Sequence, residues 1–209
     1  MIFFHCLISN DECFPDLLNF VGRHQEALAV AERLNAKHPY YPNTRIILSY
    51  VYNGKLDEAL QFSEDRMKLF HNYYALDGHG FLLLNMGRYN DAIPFFLRAM
   101  SLEGIRYPRM MGWMGAAYAK SGNRPKAREI IEELKSRWSN EEGGSIAFFI
   151  AVVYAALGET QDALHWLKIA HDTHEMEMPW LLTEPQFYGL HANKDFQAMA
   201  RSMQFPQVP

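Results

Sequence analysis

The stretch that decides the fold runs from Tyr73 to Gly104, YYALDGHGFLLLNMGRYNDAIPFFLRAMSLEG. In its second half, residues able to pack recur every three or four positions: Tyr89, Ala92, Phe96 and Ala99. This spacing is that of one face of an α-helix. In the first half, an apolar stripe has Gly80 at its centre, and a small residue there lets two helix axes come close. The stretch therefore predicts two packed helices joined by a tight hinge at 85–87.

The same pattern recurs along the chain as a glycine followed five residues later by an alanine. The pairs are Gly22/Ala27, Gly54/Ala59, Gly87/Ala92, Gly122/Ala127 and Gly158/Ala163. Successive glycines lie 32 to 36 residues apart, while the offset from glycine to alanine does not change. Glycine suits a hinge because it adopts positive φ without strain, and alanine lets the second helix dock tightly. The constant offset predicts an internal repeat.

This unit resembles the tetratricopeptide repeat (TPR), a helix-turn-helix unit of about 34 residues. The resemblance covers roughly residues 14–170 and implies an all-α fold, a right-handed α-α superhelix (a TPR solenoid) of about five helix pairs plus a C-terminal capping helix. We expect a single solenoid domain over 1–209, with repeats at approximately 8–39, 40–72, 73–107, 108–143 and 144–177 and a capping segment at 178–209.

The C-terminal part carries a second resemblance. It is similar to the closing segment of TPR arrays attached to bacterial adenylate cyclases and winged-helix transcription regulators. The matching residues are Trp166, Leu167, Trp180, Leu181, Leu182, Pro185, Leu190 and Phe196. A repeat array exposes an apolar face at its end, so a last helix over Lys194–Met203 is expected to cap it.

The second unit departs from the repeat pattern in its second helix. Ser63 and Arg66 stand where phenylalanine and alanine are typical of the family. We expect this helix to be slightly rotated, so that Phe62, Met67 and Phe70 carry its packing.

Composition restricts the class of partner and the compartment. The formal net charge is −4, from 20 basic and 24 acidic residues, and no basic block indicates a nucleic-acid footprint. The longest nearly uninterrupted apolar run, 146–157, is shorter than the roughly 20 residues that a membrane-spanning helix needs. Cys6 and Cys13 are too few for a disulfide scaffold, which favours packing residues in a reducing cytoplasm.

A catalytic or metal site is not indicated. His171 and His174 lie in the sequence HDTHE, but helical ligands at this spacing need two further partners, and no cysteine or HExxH pattern supplies them. The favoured interpretation is a solvated helix end. The sequence also contains no nucleophile elbow and no phosphate-binding loop. We expect a non-catalytic chain without metal or cofactor, and a hydrolase using His171 and His174 is the least favoured class.

The TPR resemblance implies a concave groove lined by the first helix of each repeat. Mapping the family's groove positions onto this sequence gives Tyr41, Leu48, Tyr52, Tyr74, Asp77, Phe81, Asn85, Arg109 and Lys120. Such a groove is apolar and aromatic at one end and cationic further along, which suits a peptide with aromatic anchors and acidic groups. The alternative is that these aromatic side chains pack against neighbouring repeats, or that the groove closes on another copy.

These observations favour a protein–protein interaction module that binds a peptide or partner domain and neither nucleic acid nor membrane. The tail resemblance suggests the sensory or scaffolding part of a bacterial signalling regulator. The alternative function is a self-associating TPR protein, a homodimer without a peptide ligand.

Overall fold

The computed structural model describes residues 13–39, 45–140, 142 and 144–204. All regular structure in these ranges is helical. The α-helices are α1 Phe14–Phe20, α2 His24–Lys37, α3 Arg45–Tyr52, α4 Leu56–Leu69, α5 Tyr73–Asn85, α6 Tyr89–Glu103, α7 Pro108–Lys120, α8 Arg124–Ser139, α9 Ile146–Ala156, α10 Thr160–Asp172 and α11 Lys194–Ser202. Two 3-10 helices, Met178–Trp180 and Pro185–Leu190, lie between α10 and α11.

The helices form two layers. We call α1, α3, α5, α7 and α9 the first-helix layer, and α2, α4, α6, α8 and α10 the second-helix layer. Each helix from α1 to α10 packs against the next one in the chain, and each member of the first-helix layer also packs against the next member of that layer. The described part of the chain is therefore all-helical, as predicted, with each helix packed on its neighbours.

The repeated glycines and alanines serve the packing inside each helix pair. Gly87, between α5 and α6, has a φ of 76°, in the left-handed region that favours glycine. The five alanines that follow the hinge glycines by five positions are all fully buried. Between α5 and α6, a Cβ atom on Gly80 would lie 2.9 Å from Cε1 of the buried Phe96 ring. Close approach of the two helices therefore requires a glycine at position 80.

The helix α4 packs partly as the sequence predicted. Phe62 and Met67 are half-buried against the core, and the guanidinium of Arg66 lies above the Phe62 ring, 4.8 Å from its centroid. Ser63 nevertheless keeps the buried position of the repeat pattern, with 1% of its surface exposed, and its Oγ lies 2.8 Å from Nδ1 of His79 on α5. A polar residue is tolerated there because the histidine of the next helix satisfies the buried hydroxyl.

Two further predictions concern compartment. In the described part of the chain, no helix is long and apolar enough to cross a membrane; the most apolar, α9, has 11 residues. Cys13, at the N-terminus of α1, is buried and disulfide-bonded, whereas the sequence predicted a reduced packing residue.

Candidate partner-binding face

A segment of the chain itself lies against the first-helix layer. We call residues 175–190 the C-terminal segment; it contains both 3-10 helices and leads from α10 to α11. Its side chains contact members of the first-helix layer from α1 to α9. The face where the sequence predicts a groove is therefore covered by residues that the sequence assigns to a terminal cap.

At the N-terminal end of this face, Trp180 joins the first two helix pairs. Its ring meets Phe20 of α1 edge-on, with centroids 4.4 Å apart, and lies 5.8 Å from the ring of Tyr52 on α3. Burial raises the pKa of Tyr52 well above its usual value, and the nearby Glu184 carboxylate adds to this rise. The aromatic end of the predicted groove thus receives a tryptophan.

At the centre of the face, Glu184 is held by α7. The indole Nε1 of Trp113 donates a hydrogen bond to Oε2 of Glu184 at 3.1 Å, and the backbone N–H of Gln186 donates to its Oε1 at 3.2 Å. Glu184 is 3% exposed, and burial raises its pKa to about 7. Trp113 in turn packs on the fully buried Phe81 of α5, with centroids 4.4 Å apart. An acidic side chain is therefore accommodated on an aromatic platform.

Beside Glu184, an ion pair links α5 to α7. Nη2 of Arg109 lies 2.6 Å from Oδ2 of Asp77, which is 3% exposed. Burial raises the pKa of Asp77, and the guanidinium opposes this rise. Arg109 also lies over the ring of Trp113, at 5.3 Å from its centroid. A cation is thus positioned at the surface of the face, 36% exposed at its side chain.

Glu177 of the C-terminal segment approaches this cation without a full set of partners. Burial raises its pKa to about 7, although the positive charge of Arg109 acts in the opposite direction. Oε2 of Glu177 and Oδ1 of Asp77 are both buried and have no hydrogen-bond partner among the described residues. The carboxylates of Glu177 and Asp77 therefore share the positive charge of one guanidinium, that of Arg109.

At the C-terminal end, the segment attaches to α9. The carboxylate of Glu175 accepts hydrogen bonds from the backbone N–H groups of Ala147 and Phe148, at 2.9 and 2.7 Å. These contacts satisfy donors that the first turn of a helix leaves free. Phe187 is fully buried and meets the ring of Phe148 edge-on at 5.3 Å.

The structure brings together four of the predicted groove residues, since Tyr52, Asp77, Phe81 and Arg109 all lie beneath the C-terminal segment or support residues that contact it. Tyr74 lies at the edge of the face. Its ring is tilted against that of Tyr73, with centroids 3.9 Å apart, and the residue is 43% exposed.

The remaining predicted residues lie apart or serve local roles. Asn85 donates a hydrogen bond to the carbonyl of Phe81 at 2.8 Å, Leu48 is half-buried, and Lys120 is exposed in the last turn of α7. Tyr41 falls outside the described residues. Partner binding by the set stays a prediction.

Sequence reasoning missed the residues that fill the face: Glu177, Trp180, Glu184 and Phe187. It also missed Trp113 as the residue that receives Glu184. A signal was present in the segment MEMPWLLTEPQF, where two prolines prevent a regular helix while apolar and acidic residues alternate in groups. That pattern is typical of a segment whose conformation is set by a surface against which it packs.

The histidine cluster forms a polar contact at the end of the chain. Nε2 of His171 lies 3.0 Å from Oγ of Ser202, and Nδ1 lies 3.3 Å from Asp172, an order that resembles a Ser–His–Asp triad. However, the Ser202 hydroxyl donates its proton to the carbonyl of Met199 at 2.7 Å. Among the described residues, no group of three or more His, Cys, Asp or Glu side chains is placed to hold a metal ion.

Comparison with models of known protein families and with curated protein sequences yields no match to this chain. The geometry of the face is therefore the basis for a functional proposal.

Proposed function

We propose that this protein is a non-catalytic, TPR-type superhelical module whose first-helix face binds a peptide segment of a protein partner. The observation that carries the proposal is the C-terminal segment, which lies on this face as a turn-rich stretch of chain with a tryptophan, a phenylalanine and carboxylates as its contacting groups. Recognition of extended segments through aromatic anchors and charge complementarity is a recurring mode of peptide binding.

The repeat architecture supports the same proposal. Helix pairs that repeat along a chain present equivalent positions side by side, and these positions form an extended binding surface. Here those positions include Arg109, a partly exposed cation next to the ring of Trp113. A guanidinium beside an aromatic ring suits a carboxylate-bearing ligand.

The resemblance of the tail supports a finer proposal, a sensory or scaffolding part of a bacterial cytoplasmic regulator. The disulfide at Cys13 is the observation that weighs against the cytoplasm, because disulfides persist in oxidising compartments.

Site-directed photo-crosslinking tests the binding face. A photoreactive phenylalanine at Tyr74, at the edge of the face, is compared with one at Leu102 on α6, which is 52% exposed in the second-helix layer. We expect a partner peptide, identified by mass spectrometry, to crosslink at position 74 and not at position 102. The crosslink should be lost when the double variant Arg109→Met/Asp77→Asn removes the cation from the face without leaving a buried carboxylate unpaired.

Two other outcomes would contradict the proposal. Equal crosslinking at both positions, insensitive to Arg109→Met/Asp77→Asn, would exclude the first-helix face as the binding surface. Crosslinking at position 74 to a second copy alone, together with a dimeric mass in light scattering, would establish the homodimer instead.

A further inference from the structure

We infer that the C-terminal segment is a built-in competitor for the first-helix face, displaced by a partner segment that presents a tryptophan between carboxylates. This inference rests on the proposed function and specifies both the ligand class and its regulation.

The first argument is how the C-terminal segment is held. Its contacts with the first-helix layer include side chains spaced three or four positions apart: Glu177, Trp180, Glu184 and Phe187. Met178, Leu181 and Leu190 of the segment are also buried in the core. Pro179 and Pro185 each lie in the first turn of a 3-10 helix, and no α-helix is present between α10 and α11. The arrangement therefore resembles a bound peptide more than a further repeat, since anchoring side chains supply the contacts.

The second argument is electrostatic. The segment brings Glu177 and Glu184 into the face, and the described cation facing Glu177 is Arg109, already paired with the buried Asp77. Burying a carboxylate without a matching charge or full hydrogen bonding is unfavourable. Oε2 of Glu177 and Oδ1 of Asp77 are buried without a hydrogen-bond partner among the described residues, and each contributes to this unfavourable free energy. This unfavourable free energy partly offsets the stabilisation that the apolar contacts of Trp180 and Phe187 provide. A competing peptide can therefore displace the segment.

The third argument is the connection to the rest of the chain. The segment begins just after His174, which has a positive φ of 55°, an unfavourable backbone conformation for a residue other than glycine or asparagine. Beyond the segment, α11 packs on α10, with Ser202 in contact with His171. The C-terminal segment is therefore a loop anchored at both ends on α10, and it can leave the face without threading through the fold.

The probe is a fluorescent synthetic peptide with the sequence of residues 174–191, HEMEMPWLLTEPQFYGLH. Its affinity for the full chain is measured by fluorescence anisotropy at pH 7.5. Trp180→Ala removes the anchor from the chain's own segment but leaves the receiving face unchanged. A competitor that occupies the face lowers the apparent affinity by the fraction of open molecules. Because a tryptophan anchor packed on aromatic rings is a typical hot spot, we expect the variant to bind about 30-fold more tightly than wild type.

The matched control is Trp138→Ala. Trp138 lies on α8 and packs edge-on against Trp166, away from the contacts that hold Trp180. Its replacement removes the same side chain and should leave the peptide affinity at the wild-type value. Circular dichroism of each variant reports whether the helices are retained.

Glu177→Gln provides a second variant that does not remove an anchor. The change removes the charge whose burial is unfavourable in the closed chain, so the segment should hold more firmly and the peptide affinity should fall below that of wild type. Glu132→Gln, an exposed position on α8, is its control. Arg109→Met/Asp77→Asn in the Trp180→Ala background should abolish the gain in affinity, because the receiving face loses its cation without leaving a buried carboxylate unpaired.

Equal peptide affinity of wild type and Trp180→Ala would contradict the inference that the C-terminal segment competes for the face. Absence of peptide binding to every variant would contradict it as well. Either result leaves the proposed function to its own test, because a partner crosslinked at position 74 would then use contacts other than those of the C-terminal segment. If no partner is crosslinked but Trp180→Ala binds the peptide more tightly, the C-terminal segment binds the face only within its own chain. The proposal of an external peptide ligand would then be wrong.

Discussion

At the scale of single residues, glycines inside helices set the distance between helix axes. Gly80 lies in the middle of α5, and a Cβ atom there would come within 2.9 to 3.1 Å of three ring carbons of Phe96. Phe96 is fully buried, so its ring has no free space into which to move. The same crowding applies at Gly112, where a Cβ would lie 2.8 Å from Phe149.

Gly80→Ala should therefore destabilise the protein although alanine favours helix. Overpacking of a core costs about 1–3 kcal/mol, while the gain in helix propensity is about 1 kcal/mol. We expect a net loss of up to about 2 kcal/mol in the free energy of unfolding, measured with urea. Gly189→Ala is the control, since nothing lies within 4 Å of a Cβ at that position. A stabilised Gly80→Ala variant would show that α5 and α6 are less closely packed.

The pair Asp77–Arg109 provides a second prediction at this scale. Asp77 is buried, so Arg109→Met should leave its charge without a partner and lower stability by about 2–3 kcal/mol. Adding Asp77→Asn should recover most of that loss, because an uncharged amide replaces the unpaired carboxylate. Urea unfolding of the two single variants and the double variant measures this coupling.

The control for this pair is Arg106→Met. Arg106 binds Glu133 with two hydrogen bonds of 2.6 and 2.7 Å, but both side chains are substantially exposed. Exposed ion pairs contribute only about 0–1 kcal/mol, so this variant should remain near wild type. Equal losses for the two arginine variants would mean that burial of Asp77 does not matter.

At the scale of elements, the C-terminal segment makes stability depend on pH. Burial raises the pKa of Glu184 from 4.5 to about 7 in the folded chain, so the folded state binds its proton more strongly than the unfolded state. The stability contribution is then largest below pH 4.5, falls as the pH rises to about 7, and is constant above that value. The ionisable neighbours facing Glu184 are Tyr52 and Tyr188, whose pKa values burial also raises, so neither titrates in this window.

Glu184→Gln removes this dependence. The difference in unfolding free energy between wild type and the variant should fall by about 3 kcal/mol between pH 4.5 and pH 7.5. Urea unfolding at several pH values measures the difference, and contributions from histidines cancel because both proteins contain them. A difference that rises with pH would contradict a buried, proton-binding Glu184. Glu132→Gln is the exposed control.

At the scale of the whole molecule, the C-terminal segment connects parts of the chain that do not otherwise pack closely. The repeats contact their neighbours, as in a linear array, whereas Trp180 reaches α1 and α3 and Phe187 reaches α9. In a linear array, stability is a sum of local terms, and one end can open independently. The segment should therefore make unfolding of the two ends cooperative.

Trp180→Ala should uncouple the ends. We expect amide hydrogen exchange to become faster in α1–α3, because these helices lose the ring contacts with Phe20 and Tyr52, while α9 keeps its protection. Trp138→Ala should instead affect α8 and α10, where its ring contact lies. Uniformly faster exchange in Trp180→Ala would indicate global destabilisation and not the loss of a connection between ends.

The sequence by itself determined the helix pairs, because the glycine–alanine repeat and the helical periodicity are local properties that each stretch of chain carries alone. The TPR resemblance also indicated part of the candidate face, since it gave Tyr52, Asp77, Phe81 and Arg109 as groove positions. Only the tertiary structure decided what covers that face. The path of the segment from 175 to 190 depends on contacts such as Glu184 with Trp113 and Trp180 with Phe20, between residues 71 positions or more apart. The prolines and the apolar and acidic residues of the segment indicate that it packs on a surface, but each partner's sequence neighbourhood reveals nothing about which residue it contacts.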